Sequence, residues 1–137
     1  MAGYSETPLA KKLGIKPGAR VALAQAPPEM RGLLEPLPAD VRVADGLRAA
    51  GLDVIVLFPR SAADLERRFA PAASRLAPAG GLWIAWPKRA SGVETDLSED
   101  IIRRIGLEAG LVDNKVCAIS EVWSGLRFVI RVADRGR

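Results

Sequence analysis

The chain has 137 residues, of which 49% are hydrophobic and 26% charged, and its net charge is +4. Length and composition indicate one globular domain, and no apolar run approaches the ~20 residues that a membrane-spanning helix needs. The chain contains no histidine and a single cysteine, Cys117, which excludes Ser-His-Asp and Cys-His catalysis, a histidine-ligated metal and an intrachain disulfide.

Short helices and strands alternate in the first part of the chain. Thr7 suits a helix N-cap and Gly14 a helix end. Val21 to Ala24 is apolar and suits a buried strand. The predicted elements are a helix over residues 7–13, a strand over 21–24, a helix over 28–34, a strand over 41–43 and helical turns over 47–50.

The strongest strand signal lies in the middle of the chain. Residues 53–58, DVIVLF, form a continuous β-branched and apolar run, typical of a strand covered on both faces in a parallel sheet. Ser61 and Asp64 form a capping-box pattern that begins a helix. Apolar residues recur at helical spacing from Leu65 to Leu76 and predict its buried face. Pro71 predicts a kink or a break in this helix.

Glycines punctuate the next segment. Gly80-Gly81 predicts a turn into a second buried strand, LWIAW, over residues 82–86. After a polar loop, Asp96 predicts the N-cap of a helix that Gly110 ends. The chain closes with apolar runs over residues 115–120 and 126–132, and Ser124-Gly125 between them predicts the turn of an antiparallel hairpin.

Together these elements predict an α/β fold: a three-layer Rossmann-like sandwich with a mostly parallel sheet that ends in an antiparallel hairpin. We expect a single domain over residues 1–137, with flexible ends at 1–6 and 133–137. An exposed edge strand could pair between two chains, so a homodimer is an alternative to a monomer.

Three segments carry a resemblance to a known fold: KPGARVALA, then LDVIVLFPRSAADLERRFAPAASRLAPAGGLWIAWPK, then the closing hairpin. They resemble the first strand, the fourth and fifth strands, and the last two strands of a shortened S-adenosylmethionine-dependent methyltransferase. The stretches PLAKKLGIKPG, GLWIAWPK and WSGLRFV also resemble an uncharacterised bacterial family classed only as a domain of unknown function. That second resemblance implies no activity.

One stretch, QAPPEM, departs from the methyltransferase pattern. In that family the first strand typically ends in an acidic residue followed by a Gly-x-Gly turn, but this chain has Leu23 at the acid position and Gln25 and Pro27 at the glycine positions. Pro27 and Pro28 lack amide hydrogens, so two donors are missing where a ligand would use them. The resemblance would place Asp45 at the cofactor's ribose, although N-capping explains Asp45 equally well. We therefore expect no cofactor; if S-adenosylmethionine does bind, Gln25 and Asp45 are its candidate contacts.

A different set of residues lies at the predicted strand ends. Ligands of open α/β sheets bind beyond the carboxyl ends of the parallel strands. The candidate ligand- or anion-binding residues there are Arg60, Trp86, Lys88 and Arg89. Their cationic groups can hold a carboxylate or a phosphate, although exposed loop positions explain them too. No catalytic residue and no metal site are predicted.

The favoured function is a non-catalytic Rossmann-like binding or regulatory domain with a degenerate cofactor loop and a small anionic ligand or a protein as partner. One alternative is a divergent S-adenosylmethionine-dependent methyltransferase or nucleoside-binding enzyme using Asp45, Arg60 and Lys88. Another is a nucleic-acid-associated regulator, suggested by the pI of about 9.7. Because basic residues are scattered among acids, we expect no nucleic-acid partner, and because no apolar run is long enough to span a bilayer, we expect no membrane partner. Without a basic-then-apolar leader, the expected location is the cytoplasm.

Overall fold

The computed structural model describes residues 7–136, and the strands in this part of the chain form one sheet. The strands, β1 to β6 in chain order, are Arg20–Ala24, Arg42–Asp45, Leu52–Leu57, Leu76–Pro87, Val112–Ala118 and Trp123–Val129. Their spatial order is β2-β1-β3-β4-β6-β5. The first four pair in parallel, whereas β6 is antiparallel to both β4 and β5. The predicted fold class is confirmed.

Helices cover both faces of the sheet. The α-helices, α1 to α4, are Leu9–Lys12, Met30–Leu33, Ala62–Ala73 and Glu99–Glu108. Short 3₁₀ helices cover Arg89–Ser91 and Val132–Asp134. The longer helices α3 and α4 pack on one face, and α1 and α2 pack on the other. The molecule therefore has the three layers that the sequence predicts. None of its described helices is long and apolar enough to cross a membrane.

Strand β3 shows why the fold needs an uninterrupted apolar run. Ile55 and Leu57 face the core under α3 and α4, whereas Val54 and Val56 face the core under α1 and α2. Alternate side chains of a strand point to opposite faces, so a central strand must be apolar at every position. Trp83 of β4 is buried on the α1 face, where its indole Nε1 donates to the Leu13 carbonyl at 3.0 Å.

Strand β4 corrects the prediction of a turn at Gly80-Gly81. Both glycines lie inside β4, which already begins at Leu76, a residue that the helical pattern had assigned to the preceding helix. Leu52 pairs with Leu76 and Val54 pairs with Gly81, so residues 77–80 of β4 lie opposite the single residue Asp53. This change of register marks a bulge in β4. A Cβ on Gly80 would lie 2.6 Å from the Leu52 carbonyl oxygen. Gly80 therefore permits a close approach of two backbones.

Four other local predictions need correction. Helix α3 passes through Pro71 undivided, because the proline lies in the last turn and removes only one helical hydrogen bond. Ser98, not Asp96, caps α4, through a 3.2 Å bond from the Ile101 amide. Ser124-Gly125 lies inside β6, and residues 47–50 form no helix.

The predicted flexible ends lie partly outside the described residues, which exclude 1–6 and Arg137. The part of the C-terminal segment that is described includes the 3₁₀ turn Val132–Asp134.

Candidate functional site

A groove runs along the edge of the sheet where β1, β3 and β4 end and β6 begins. It consists of a larger chamber of about 990 Å³ and a smaller one of about 270 Å³. The two chambers share lining residues, namely Arg60, Pro87, Val93, Glu94 and Thr95. We call the two chambers together the carboxyl-edge groove.

The larger chamber combines an apolar wall with unpaired cations. Trp86 is half-buried, and Leu97 is buried. Arg60 and Arg89 are exposed on its rim, and within residues 7–136 neither guanidinium forms an ion pair. The carboxylates of Glu94, Asp96 and Glu99 also line the chamber, and Glu99 forms a 2.6 Å ion pair with Arg103, which Asp100 and Asp113 share. An aromatic wall beside free guanidinium groups suits a ligand with a planar apolar part and an anionic group.

The loop between β4 and α4 lines both chambers and is anchored to α3. The Asp96 carboxylate accepts a hydrogen bond from the Ala62 amide at 2.9 Å. The Thr95 hydroxyl accepts one from the Leu97 amide at 3.0 Å. Asp96 thus satisfies a free amide in the first turn of α3 and holds the loop against the start of that helix.

The smaller chamber lies over the end of β1. It is lined by Gln25 and Pro27 on one side and by Phe58 and Trp123 on the other. The Phe58 and Trp123 rings meet edge to face, with centroids 5.0 Å apart and planes at 87°. This edge-to-face packing is favourable and gives the chamber an aromatic wall.

Gln25 adopts a backbone conformation that favours glycine. Its φ is 57°, in the left-handed region. Its side chain then turns inward, where Nε2 donates to the Asp64 carboxylate at 3.0 Å and to the Phe58 carbonyl at 3.2 Å. These two bonds fix the turn that follows β1 against the start of α3 and offset the backbone strain.

Asp64 is the one buried charged side chain of the described part of the chain, with 4% exposure. Its Oδ2 accepts from Gln25 and from the Arg60 amide at 2.9 Å. Its Oδ1 accepts from Arg67 at 3.0 Å and Arg68 at 2.7 Å. Burial alone would raise the pKa of Asp64, but the hydrogen bonds from Gln25, the Arg60 amide and Arg68 outweigh it and hold the pKa well below its ordinary value. Asp64 therefore stays ionised at neutral pH.

Asp45 and Lys88 lie outside the groove. Asp45 ends β2 with its side chain 77% exposed and pairs with Arg31 at 3.4 Å. The Lys88 amide donates to the Val122 carbonyl at 2.7 Å and so joins the groove loop to the β5–β6 hairpin. Of the predicted site residues, Gln25, Arg60, Trp86 and Arg89 line the groove, whereas these two do not.

Sequence reasoning missed the role of Asp64 and the attachment of the β4–α4 loop to α3. The capping pattern identified Asp64 only as a helix-start residue, yet it also receives the side chain of a residue 39 positions away. No local signal connects Asp64 with Gln25, because the contact arises from the parallel pairing of β1 and β3. Nor could spacing show that Asp96 bonds to α3.

Known structures share this architecture. A SAM-dependent methyltransferase from Aquifex aeolicus superposes with a TM-score of 0.62 at 16% identity, covering 88% of this chain and 86% of that one. The TehB-like SAM-dependent methyltransferase of Corynebacterium glutamicum gives a TM-score of 0.56 at 12% identity, covering 95% and 91%. Magnesium protoporphyrin IX methyltransferase from Synechocystis, with bound SAH, gives a TM-score of 0.57 at 14% identity, covering 83% and 74%.

The fold is that of the SAM-dependent methyltransferases. The predicted fold resemblance is thereby confirmed, and identities this low show the fold alone. No protein-family model and no curated protein match the chain. The resemblance to an uncharacterised bacterial family therefore stays a prediction.

Proposed function

We propose that this chain is a non-catalytic binding or regulatory domain built on a methyltransferase-like fold, and that its ligand is a small aromatic anion held in the carboxyl-edge groove. The observation that carries the proposal is the Gln25–Asp64 hydrogen bond of 3.0 Å, which ties the turn after β1 to α3. Arg60 and Arg89 supply the unpaired charge.

The turn after β1 does not fit an adenosyl cofactor. Pro27 and Pro28 lack the amide hydrogens that a helix N-terminus offers to a ligand, and α2, which follows, is only four residues long. The Gln25 side-chain amide is engaged with Asp64 and Phe58. Asp45 forms an ion pair with Arg31 rather than facing either chamber. These features favour a ligand bound nearer to β4 than to β1.

The chemistry of the larger chamber supports an aromatic anion. Trp86 offers an apolar face, and Arg60 and Arg89 can form charge-assisted hydrogen bonds with a carboxylate or a sulfonate. With no histidine in the chain and Asp64 held ionised by its partners, this part of the molecule offers no group poised for proton transfer near neutral pH. Binding without turnover is the function that this arrangement supports best.

A fluorescence titration with anilinonaphthalene sulfonate, an aromatic anion, tests the groove. We expect Arg60→Gln and Arg89→Gln each to weaken binding by about threefold to tenfold, since each removes one charge-assisted contact. Arg104→Gln is the matched control, because Arg104 is an exposed arginine outside the groove. If all three variants bind the anion with the affinity of the wild type, the anion does not bind at Arg60 and Arg89, and the groove is not its site.

Isothermal titration with S-adenosylmethionine and S-adenosylhomocysteine tests whether the chain binds the cofactor of methyl transfer. We expect no binding tighter than about 100 μM for either compound. Tighter binding that the product competes away would favour the second candidate, a divergent methyltransferase. That candidate draws support from Gln25, whose φ of 57° is the conformation a glycine would supply at this turn.

A further inference from the structure

A group of basic residues is centred on Arg127, which lies on the α1 face of the sheet, apart from the carboxyl-edge groove. It consists of Lys12, Lys115, Arg127 and Arg135, and we call it the basic cluster. Lys115 stands directly opposite Arg127 in the β5–β6 register. Its ammonium donates to the Lys12 carbonyl at 3.1 Å. Arg135 lies near Arg127, with its Nε bonded to the Ile130 carbonyl at 3.0 Å.

A bulge in β5 separates the acid of this region from its cations. Asp113 pairs with Phe128, but Lys115 pairs with Arg127, so Asn114 is the extra residue. In a regular strand, residues two apart would share a face; the bulge sends them to opposite faces. Asp113 therefore meets Arg103 of α4 at 2.9 Å, while Lys115 joins Arg127 on the α1 face. The cluster loses the carboxylate that would have neutralised it.

Arg127 is half-buried at the centre of the cluster. Its guanidinium lies over Gly81 of β4, where an added Cβ would come within 2.8 Å of Arg127 Cζ. Its hydrogen bond to the Asn114 side-chain oxygen is long, at 3.4 Å. Burial lowers the pKa of Arg127 from its ordinary value, and the nearby charge of Arg135 lowers it further. Gly81 thus makes room for a cation that the rest of the sheet does not stabilise.

The ion pairs of the described residues include none of the four side chains of the basic cluster. Like charges directly opposite on neighbouring strands destabilise a sheet, and Arg127 of the Lys115–Arg127 pair is half-buried. The β5 bulge and the room above Gly81 nevertheless place Lys115 and Arg127 together. This arrangement points to an anionic ligand as the missing partner.

We propose that the basic cluster binds a phosphate-type oxyanion, with Arg127 as its central contact. A guanidinium fork matches the oxygens of a phosphate, and lysine adds charge without directional demand. The described aromatic side chains lie in the core or at the carboxyl-edge groove, so no ring is available at the cluster to stack on a base. Recognition there rests on the phosphate group, whether it is free or part of a phosphodiester backbone.

Thermal unfolding in inorganic phosphate, against chloride at equal ionic strength, tests the site. At about 50 mM phosphate we expect the wild-type midpoint to rise by on the order of 5 °C. Arg127→Met keeps the aliphatic stem and removes the charge, so it should weaken the apparent phosphate affinity by about tenfold. Without phosphate, this variant should unfold at the wild-type temperature or above it. Arg104→Gln, at an exposed position on α4 outside the cluster, is the matched control and should respond like the wild type.

A structural role for Arg127 predicts a different pattern. It would make Arg127→Met less stable in chloride and leave the phosphate-induced rise unchanged, and that result overturns the proposal. So does a wild-type midpoint that responds equally to phosphate and chloride. If the variant fails to fold, Lys115→Gln serves instead, because Lys115 is exposed and its loss leaves the core intact.

A second measurement distinguishes a free phosphate from the phosphate of a phosphodiester backbone. Fluorescence anisotropy with a labelled single-stranded oligonucleotide of mixed sequence is followed in wild type and Arg127→Met at several salt concentrations. Binding that falls steeply with salt and weakens in the variant supports a nucleic-acid backbone as the source. A phosphate response without oligonucleotide binding supports a free phosphate or small phosphorylated ligand. If the wild type shows neither the phosphate-induced rise of the unfolding midpoint nor oligonucleotide binding, the proposed site is refuted. None of these readouts depends on the carboxyl-edge groove.

Discussion

The substitution Asp64→Asn tests the central hydrogen-bond network, because it keeps the side chain's shape and removes its charge. Each carboxylate oxygen of Asp64 accepts two hydrogen bonds, from Gln25 and the Arg60 amide on one side and from Arg67 and Arg68 on the other. An asparagine presents an NH₂ group to one of these pairs, so two donors lose their acceptor in either orientation.

The loss of stability depends on which of the two pairs of hydrogen bonds to residue 64 is lost. The arginine side chains are 70% and 47% exposed, so they can turn to water, whereas the Gln25 amide is part-buried and cannot. The asparagine oxygen should therefore face Gln25 and the Arg60 amide, and the loss is that of charge-assisted bonds to the arginines. We expect the free energy of unfolding to fall by about 1.5–3 kcal/mol.

Urea unfolding followed by circular dichroism measures this loss, with Asp100→Asn as the matched control. Asp100 has a side chain 96% exposed and only a 3.4 Å contact with Arg103, so its substitution should change stability by less than about 0.5 kcal/mol. Equal unfolding midpoints for the two variants would refute the role given to Asp64.

The stabilities of the wild type and Asp64→Asn can also be compared as a function of pH. The folded-state pKa of Asp64 is depressed, so the stability that its charge contributes is present above the unfolded pKa and is lost as pH falls through the folded pKa. With an unfolded pKa of about 3.9, the advantage of wild type over Asp64→Asn should shrink by about 1 kcal/mol between pH 5 and pH 3. An advantage that is constant over this range, or that grows, contradicts an ionised Asp64.

Four further substitutions test the packing around glycines and the cap of α4, each by its urea unfolding midpoint. Gly106→Ala should destabilise by about 1–3 kcal/mol despite a better helix propensity, because its Cβ would overlap the buried Phe128 ring, lying 2.6 Å from Cδ1. Gly32→Ala, with open space around it in α2, should be neutral or stabilising, and a loss there as large as at Gly106 would contradict the packing explanation. Gly80→Ala should destabilise by about 1–3 kcal/mol by driving β3 and β4 apart at the bulge, and unchanged stability would show that the bulge yields easily. Ser98→Ala should destabilise by about 1 kcal/mol through loss of the cap of α4, and no loss would place the cap elsewhere.

Local patterns in the sequence were sufficient for the elements with strong periodicity. The run DVIVLF predicts a central strand, and the structure places it between two cores. Ser61 caps α3 as its spacing with Asp64 predicts, and Gly110 ends α4 with a φ of 97°. Each of these signals depends on residues within one or two turns of each other, where backbone sterics and side-chain alternation act directly.

The glycine pair led to a wrong prediction because a glycine in a turn and a glycine at a close contact between strands look the same in the sequence. Gly80-Gly81 predicts a turn by composition, but the two glycines lie in a strand, one against the Leu52 carbonyl and the other beneath Arg127. Neither contact is visible before β3, β4 and β6 are placed side by side. The same limit applies to Ser124-Gly125, where Gly125 lies beside the buried Trp83 ring.

For this protein, the order of its elements and the apolar character of its central strands follow from the sequence, because they depend on neighbouring residues. The carboxyl-edge groove and the basic cluster depend on which strands become neighbours. Gln25 meets Asp64 because β1 lies beside β3, and Lys115 faces Arg127 rather than lying on the same side as Asp113 because one extra residue enters β5. Contacts between distant residues are set by strand pairing and register, and a shift of one residue would send each side chain to the opposite face.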